Sequence, residues 1–195
     1  MKKSSSSIAL AVVAALLGTA AWAAPPQTQE VTQRDVNQQD RIEQGLQSGQ
    51  LSTRETGQLE KDESHLDKME ARDLRNGKLS PQETARINAA QNRVSHQIYA
   101  DKHNGTVGNP DSASSQRMQK DVQRDANQES RIKQGESSGS LTNREAGHLE
   151  RGQAHTDRRE GRAGANGHVG AAEQRGIQRA QNRQSRHIYR KKHNA

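Results

Sequence analysis

The feature that most constrains this chain is an internal duplication without gaps. Residues 34–104 align with residues 124–194 at a constant offset of 90, and 34 of the 71 aligned positions are identical. Self-similarity at a fixed period is the signature of a repeated structural unit. We therefore predict two copies of one unit, at 33–104 and 119–195. A flexible linker, rich in Gly, Ser, Asn and Pro, is predicted at 105–118.

Each copy contains a shorter motif twice, 28 residues apart, and its first occurrence is Gly49, Leu51, Ser52 and Glu55. A glycine just past a helix can take the left-handed conformation that ends it. Ser or Thr three residues later, with Glu three further on, forms a capping box. The motif therefore predicts a helix end followed by a helix start, and an all-α fold of two tandem three-helix units. The predicted helices span 33–48, 53–75, 81–103, 123–138, 143–165 and 171–193.

Composition limits the core of this fold. The chain has no Phe and no Cys, only 28% hydrophobic residues and a mean hydropathy of −1.19. Disulfides and thiolate metal sites are excluded, and any core is built from Leu, Ile, Val and Ala. The second unit is poorer still and is expected to be marginally ordered. The apolar residues of unit one that it replaces by polar ones are Leu46 by Glu136, Leu66 by Thr156, Met69 by Arg159 and Val94 by Gln184.

The N-terminus is typical of a cleaved secretory signal. Two lysines precede the apolar run 8–17, and Ala21 and Ala23 are the small residues that a signal peptidase requires. We predict a signal peptide at 1–23, a loose leader at 24–32 and a periplasmic or secreted location. Ten apolar residues rise only about 15 Å as a helix, so the run is too short to anchor the protein. No transmembrane segment is expected in the mature chain.

Two patterns suggest metal binding, but each is incomplete. The 28-residue motif resembles the second half of an EF-hand loop, with Gly, an aliphatic residue and Glu at the right spacing. The first loop position, which needs a carboxylate, is instead Gln44, Arg72, Gln134 or Arg162. Histidines recur between the units as His65 with His155 and His103 with His193, but no pair has the i, i+3 or i, i+4 spacing of one helix face. A metal-binding protein using these groups stays an alternative.

Catalytic chemistry finds no support in the sequence. No Ser, His and carboxylate set occurs in a known motif context, and no Gly-rich phosphate loop is present. We expect a non-enzymatic protein without a cofactor and name no catalytic residue.

Charge is distributed unequally between the units. Residues 31–104 carry 11 Lys and Arg against 12 Asp and Glu, a net of −1, whereas 121–195 carry 15 against 9, a net of +6. The excess lies in the last helix, where an arginine recurs every three or four residues over roughly 22 Å. These residues are Arg175, Arg179, Arg183, Arg186 and Arg190.

Such a row of like charges is either a solvated face or an anion-binding surface. Because only two tyrosines remain after the signal, base stacking is scarce, and nucleic-acid contact would not be sequence-specific. We predict an anionic polymer or the envelope surface as partner.

The phrases Arg-Ile-x-Gln-Gly-x-x-Ser-Gly-x-Leu-[Ser/Thr]-x-x-Glu and Ser-x-x-Ile-Tyr-x-x-Lys-His-Asn resemble a family of uncharacterised small exported bacterial helical repeat proteins. The resemblance covers nearly the whole mature chain and implies no activity. The element Leu-[Ser/Thr]-x-x-Glu is also similar to the Leu-Thr-x-x-Gln motif of Spy-type periplasmic chaperones, with Glu in place of Gln. This second likeness implies a chaperone-like role in envelope stress as another alternative.

Overall fold

The computed structural model describes residues 26–193, which form six α-helices and no strand. The predicted all-α class is confirmed, and the predicted signal peptide, 1–23, lies outside the described residues. The helices are α1 (Pro26–Ser48), α2 (Thr53–Asp73), α3 (Pro81–Lys102), α4 (Ala113–Ser137), α5 (Asn143–Gly164) and α6 (Ala171–His193), with a 3₁₀ turn at Leu74–Asn76.

The repeated motif ends and starts helices as predicted. The four motif glycines have φ between 74° and 81°, a left-handed conformation that other residues rarely adopt. Capping boxes begin α2, α3 and α5, with Ser52, Ser80 and Thr142 at the N-cap. In the fourth motif the N-cap is Gly170, which has no hydroxyl, but Glu173 still accepts a 2.8 Å hydrogen bond from the Gly170 N–H. Half of the capping box therefore persists where the sequence has diverged.

These caps give a testable expectation for stability. Ser80→Ala removes the hydroxyl that accepts a hydrogen bond from the Glu83 N–H at 3.2 Å, and it should lower the free energy of unfolding by about 1 kcal/mol. Ser80→Thr is the matched control, because it keeps a capping hydroxyl at the N-cap and should change stability much less. Urea unfolding of the two variants measures both effects. Equal losses would mean that the hydroxyl does not cap α3.

Two segments that were predicted to be loose are partly helical. Helix α1 begins at Pro26, within the predicted leader 24–32, and α4 begins at Ala113, within the predicted linker 105–118. The added turns bury Val31 and Met118, which are 2% and 0% exposed. Ser112 caps α4 by accepting a hydrogen bond from the Ser115 N–H. Tertiary burial thus extends both helices beyond the limits set by the local composition.

The two units interlock around a four-helix core. Helix α2 packs antiparallel to α5 and α1 packs against α4, while α3 and α6 lie outside, each on the first two helices of its own unit. At the crossing of α2 and α5, a methyl group on Gly57 would lie 2.8 Å from the Cα of Gly164. Glycine at both positions lets the two backbones touch. The largest apolar cluster combines residues of both units, for example Leu46 and Leu59 with Met118 and Ile177.

The polar replacements in unit two are accommodated by hydrogen bonds. Glu136 is fully buried and accepts a 2.7 Å hydrogen bond from the Thr32 hydroxyl of α1. The Gln184 amide donates to the Leu149 carbonyl at 2.8 Å, and Arg159 is exposed. No helix of unit two is shorter than its counterpart in unit one. Unit two was expected to be marginally ordered, but its helices are as long as those of unit one.

Acidic side chains fill much of the space between the core helices. Twelve Asp and Glu residues are buried without a basic partner, and no Lys, Arg or His is buried among residues 26–193. The twelve are Asp35, Glu60, Glu63, Asp67, Glu70, Asp121, Asp125, Glu129, Glu136, Glu150, Asp157 and Glu160. Positive charge is therefore confined to the surface. Among the helices of 26–193, none combines the length and apolar character that crossing a membrane requires.

Candidate functional site

The arginine row of α6 lies on the surface, as the spacing predicts. Arg175, Arg179, Arg183, Arg186 and Arg190 are all exposed, and none has an ion pair or hydrogen bond with another described residue. The buried side of the same helix carries Ile177, Ala180 and Ile188. Packing of this apolar side against α4 and α5 thus fixes the direction in which the arginines point.

A groove of about 650 Å³ lies between α5 and α6 and collects part of this charge. From α6 it receives Arg183, His187, Arg190 and Lys191. Helix α5 adds His148 and Arg151, which the sequence did not single out, and His155, which it singled out only as a candidate metal ligand. Leu149, Gly152, Thr156, Ala180 and Gln184 complete the lining. Arg175 and Arg179 are outside it, so the structure divides the predicted row into groove residues and flanking residues.

The groove of unit two has no acidic lining residue, whereas the equivalent groove of unit one does. In unit one, Asp62 lines a smaller groove of about 300 Å³. The duplication places Gly152 where unit one has Asp62 and Lys191 where unit one has Asp101. Only Lys191 has an acidic neighbour, Glu145, at 3.5 Å. The equivalent grooves therefore differ in charge: the groove of unit one is lined by both acidic and basic residues, and the groove of unit two by basic residues without acidic ones.

Two exposed histidines of this groove, His155 and His187, have lowered pKa values. Partial burial, followed by the charges of Arg159, Arg158 and Arg183, lowers the pKa of His155. Burial and three arginines of α6 lower the pKa of His187 in the same way. In addition, the Arg159 Nε–H donates to Nε2 of His155 at 3.0 Å, which requires an unprotonated nitrogen there. His155 and His187 therefore add little positive charge to the groove near pH 7.

The four histidines proposed as metal ligands lie apart. His65 lines the groove of unit one and His155 that of unit two. His103 and His193 lie at the ends of α3 and α6, where each ring stacks on the tyrosine four residues before it and its Nδ1 lies 2.7 Å from that tyrosine's carbonyl oxygen. Within residues 26–193, no group of three close metal-ligating side chains contains a histidine. The EF-hand-like glutamates Glu55, Glu83 and Glu145 serve in the capping boxes.

The surface of unit two is much more basic than its sequence charge of +6 indicates. Seven of the nine acidic residues in 121–193 are buried, which leaves only Glu145 and Glu173 against 15 Lys and Arg that are not buried. The sequence charge of +6 includes all nine acids, wherever they lie in the fold. Their positions could have been suspected, because Asp125, Glu150, Asp157 and Glu160 each have an identical residue 90 positions earlier.

Comparison with known proteins identifies no relative. No family model, no curated protein and no solved structure matches this chain. The function must therefore be argued from the groove and the core themselves.

Proposed function

We propose that this is a non-enzymatic exported protein that binds a linear anionic polymer along the groove between α5 and α6. The observation that carries the proposal is the lining: Arg151, Arg183, Arg190 and Lys191 converge on one groove that has no acidic lining residue. The three arginines have no ion pair within residues 26–193, and an anionic partner would relieve their mutual repulsion. An anionic membrane surface is the competing partner. It would use the whole exposed row of α6 rather than the groove.

Groove geometry favours a polymer over a flat surface. Arg183 and Arg190 are separated by two helical turns, about 10 Å, on one side of α6, and Arg151 faces them from α5. A chain lying between the helices would meet cations from both walls, whereas a flat surface would contact the exposed row of α6 alone. Guanidinium groups also suit this role, because they donate two parallel hydrogen bonds to phosphate, sulfate or carboxylate oxygens.

The test compares two double variants with the same loss of charge. Arg183→Gln/Arg190→Gln removes two groove cations, and Arg175→Gln/Arg179→Gln removes two exposed arginines of the same helix outside the groove. Gln keeps a helix propensity close to that of Arg, so α6 should survive both changes. We expect the groove variant to lose at least about tenfold in affinity for heparin or polyphosphate, since charge-assisted hydrogen bonds contribute about 1.5–3 kcal/mol each. The flanking variant should lose much less.

Retention on heparin, on DNA and on anionic vesicles across a salt series distinguishes the partners. Polymer binding in the groove predicts that only the groove variant elutes early from heparin and DNA. If the two variants elute together, retention reflects charge alone and the groove is not a site. If wild type binds vesicles better than any soluble polymer and the flanking variant weakens that binding equally, the partner is the membrane surface.

A further inference from the structure

The acidic residues of the core follow the seam between α2 and α5. In α2 they are Glu60, Glu63, Asp67 and Glu70, spaced by three, four and three residues, which is the spacing of a buried helix face. The face of α5 that meets them repeats the pattern as Glu150, Gln153, Asp157 and Glu160. A seam of this kind is normally apolar, since an uncompensated buried carboxylate costs several kcal/mol. Its acidity therefore requires a neutralising partner.

Two groups of three carboxylates converge within this seam. In one group, oxygens of Glu60, Asp125 and Asp157 all lie within 4.8 Å of one another. In the other group, oxygens of Asp67, Glu129 and Glu150 do the same. All six side chains are buried, and each group draws on α2, α4 and α5. We call them the first and second carboxylate clusters.

Both clusters contain buried oxygens that accept no hydrogen bond. Each of the six residues has at least one such oxygen, and both oxygens of Glu150 lack a partner within residues 26–193. Beside the second cluster, the amide of Gln153 is also buried and unpartnered, although it neighbours Glu129. A buried oxygen with neither a proton donor nor a cation is costly. Each cluster therefore contains carboxylate oxygens that are free to bind a cation.

The clusters are related by the duplication that produced the chain. The offset of 90 pairs Glu60 with Glu150 and Asp157 with Asp67. It pairs Asp125 with Asp35, which adjoins the second cluster through Glu70. Asp67 and Asp157 touch each other carboxyl to carboxyl, so the two clusters meet at the centre of the molecule. One difference is that Glu129 of the second cluster corresponds to Gln39, whose amide donates to Glu60 at 3.4 Å.

The third helix of each unit supports these carboxylates from outside. Gln181 of α6 is fully buried, and its amide donates to Asp125 of the first cluster at 3.4 Å. It also donates to Glu160 at 2.9 Å and to the Asp121 carbonyl at 2.8 Å. Its counterpart Gln91 donates to Asp35 at 2.7 Å. Buried amides that hold carboxylates in fixed orientations are typical of the shell around a metal site.

We propose that the core binds two oxygen-preferring cations, one in each carboxylate cluster. Ligands made only of carboxylate and amide oxygens, without imidazole or thiolate, favour Ca²⁺, Mg²⁺ or Mn²⁺ over softer metals. Oxygens on opposite sides of Ca²⁺ lie about 5 Å apart, since each bond is 2.3–2.6 Å long. The 4.8 Å limit within each cluster is compatible with such an ion. These sites are separate from the basic groove and do not depend on its function.

The alternative to a bound cation is protonation of the cluster carboxyls. Equilibrium metal binding distinguishes these two possibilities. Protein freed of metal with a chelator and refolded at pH 7.5 is dialysed against Ca²⁺, Mg²⁺, Mn²⁺ or Zn²⁺, and bound metal is counted by mass spectrometry. Refolding in the presence of each ion allows for slow entry into a closed core. We expect close to two equivalents of at least one hard cation, together with a higher melting temperature. No retained metal under both loading conditions would mean that the carboxyls are protonated, and the proposal would be wrong.

Matched variants locate the ions. Glu60→Gln/Asp157→Asn neutralises two ligands of the first cluster with side chains of the same shape, and we expect bound metal to fall from two equivalents to about one. Glu136→Gln neutralises a buried carboxyl outside both clusters and should keep two equivalents. Neutralising buried acids removes a desolvation cost, so these variants should fold. Equal loss of metal in both variants would overturn the assignment to the clusters.

Discussion

Metal-free protein is expected to be markedly more stable at pH 4.5 than at pH 8. Burial raises the pKa of all twelve unpaired core carboxyls. For Glu136 the pKa rises from 4.5 to about 7, and for Asp121 from 3.8 to about 7. At a pH between the ordinary pKa and the raised pKa of such a carboxyl, the folded state keeps a proton that the unfolded state has lost. Stability is therefore greatest below about pH 4.5 and falls as the pH rises towards 7 and above.

The expected size of this effect follows from a single group. For Glu136, a rise of 2.5 in pKa, the difference between 7 and 4.5, corresponds to roughly 3 kcal/mol. In a protein of this length that is a shift in Tm of about 6–12 °C. Because other core carboxyls act in the same direction, chelator-treated protein should melt at least about 10 °C lower at pH 8 than at pH 4.5. Circular dichroism melting curves measure it.

Glu136→Leu provides the matched variant for this pH effect. It restores the residue type of Leu46 at the equivalent position, and Thr32 keeps its second acceptor, the Thr28 carbonyl, at 3.2 Å. The variant should be more stable than wild type at pH 8 and should show a shallower dependence on pH. If wild type instead gains stability from pH 4.5 to 8 in chelator, its core carboxyls are ionised and paired, and the picture of an unneutralised interior is wrong.

Gly57→Leu is expected to disrupt the fold by separating α2 from α5. A Cβ at Gly57 already approaches the Cα of Gly164 to 2.8 Å, and one at Gly164 would lie 2.8 Å from the Thr53 carbonyl oxygen. Both obstacles are backbone atoms, so no side-chain rotation relieves the clash. Overpacking of this kind costs about 1–3 kcal/mol or more, and here it also displaces the helices that carry the carboxylate clusters. We expect a loss of at least about 3 kcal/mol in urea unfolding.

The control for this substitution is another helical glycine with free space around it. A Cβ on Gly176 of α6 meets nothing within 4 Å, and its backbone is helical. Gly176→Ala should therefore stabilise the protein by about 0.4–1 kcal/mol through the unfolded state. A Gly57→Leu variant as stable as wild type would contradict the close contact between α2 and α5.

Local signals allowed the helices to be predicted closely. The predicted starts of α2, α3, α5 and α6, at 53, 81, 143 and 171, agree with the structure. These limits were predictable because the motif fixes each boundary through a left-handed glycine and a cap, which act within a few residues. The starts of α1 and α4 were missed, because they depend on burial of Val31 and Met118 against distant helices.

The acidic core could not be predicted by hydrophobic patterning. Hydrophobic patterning selects Leu59 and Leu66 for the core and gives no reason to place Glu60, Asp67 or Glu70 there. Both sets are in fact buried, because α2 lies between α3 on one side and α5 on the other. A charged face normally faces water, and only its repetition at an offset of 90 marked it as different. The packing of α2 on α5 and of α1 on α4 likewise could not be predicted, because these contacts join different units.

The arginine row was predictable from its spacing, but the groove was not. Arg183 and Arg190 line the groove and Arg175 and Arg179 do not, although all four follow the same helical period. What distinguishes them is the opposite wall, where Gly152 replaces the Asp62 of unit one and Arg151 adds charge. That wall belongs to α5, about 30 residues earlier in the chain. Sequence spacing within one helix cannot reveal it.

The measurement that tests the proposed function most directly is calorimetric titration of the mature protein with inorganic polyphosphate at 50, 100 and 200 mM salt. Groove binding predicts a single class of sites on wild type, with an affinity that falls steeply as salt rises, because bound phosphates release counterions. In Arg183→Gln/Arg190→Gln both the affinity and the salt slope should drop, while Arg175→Gln/Arg179→Gln should stay close to wild type. No binding at 50 mM salt, or the same affinity and slope in all three proteins, would contradict the account.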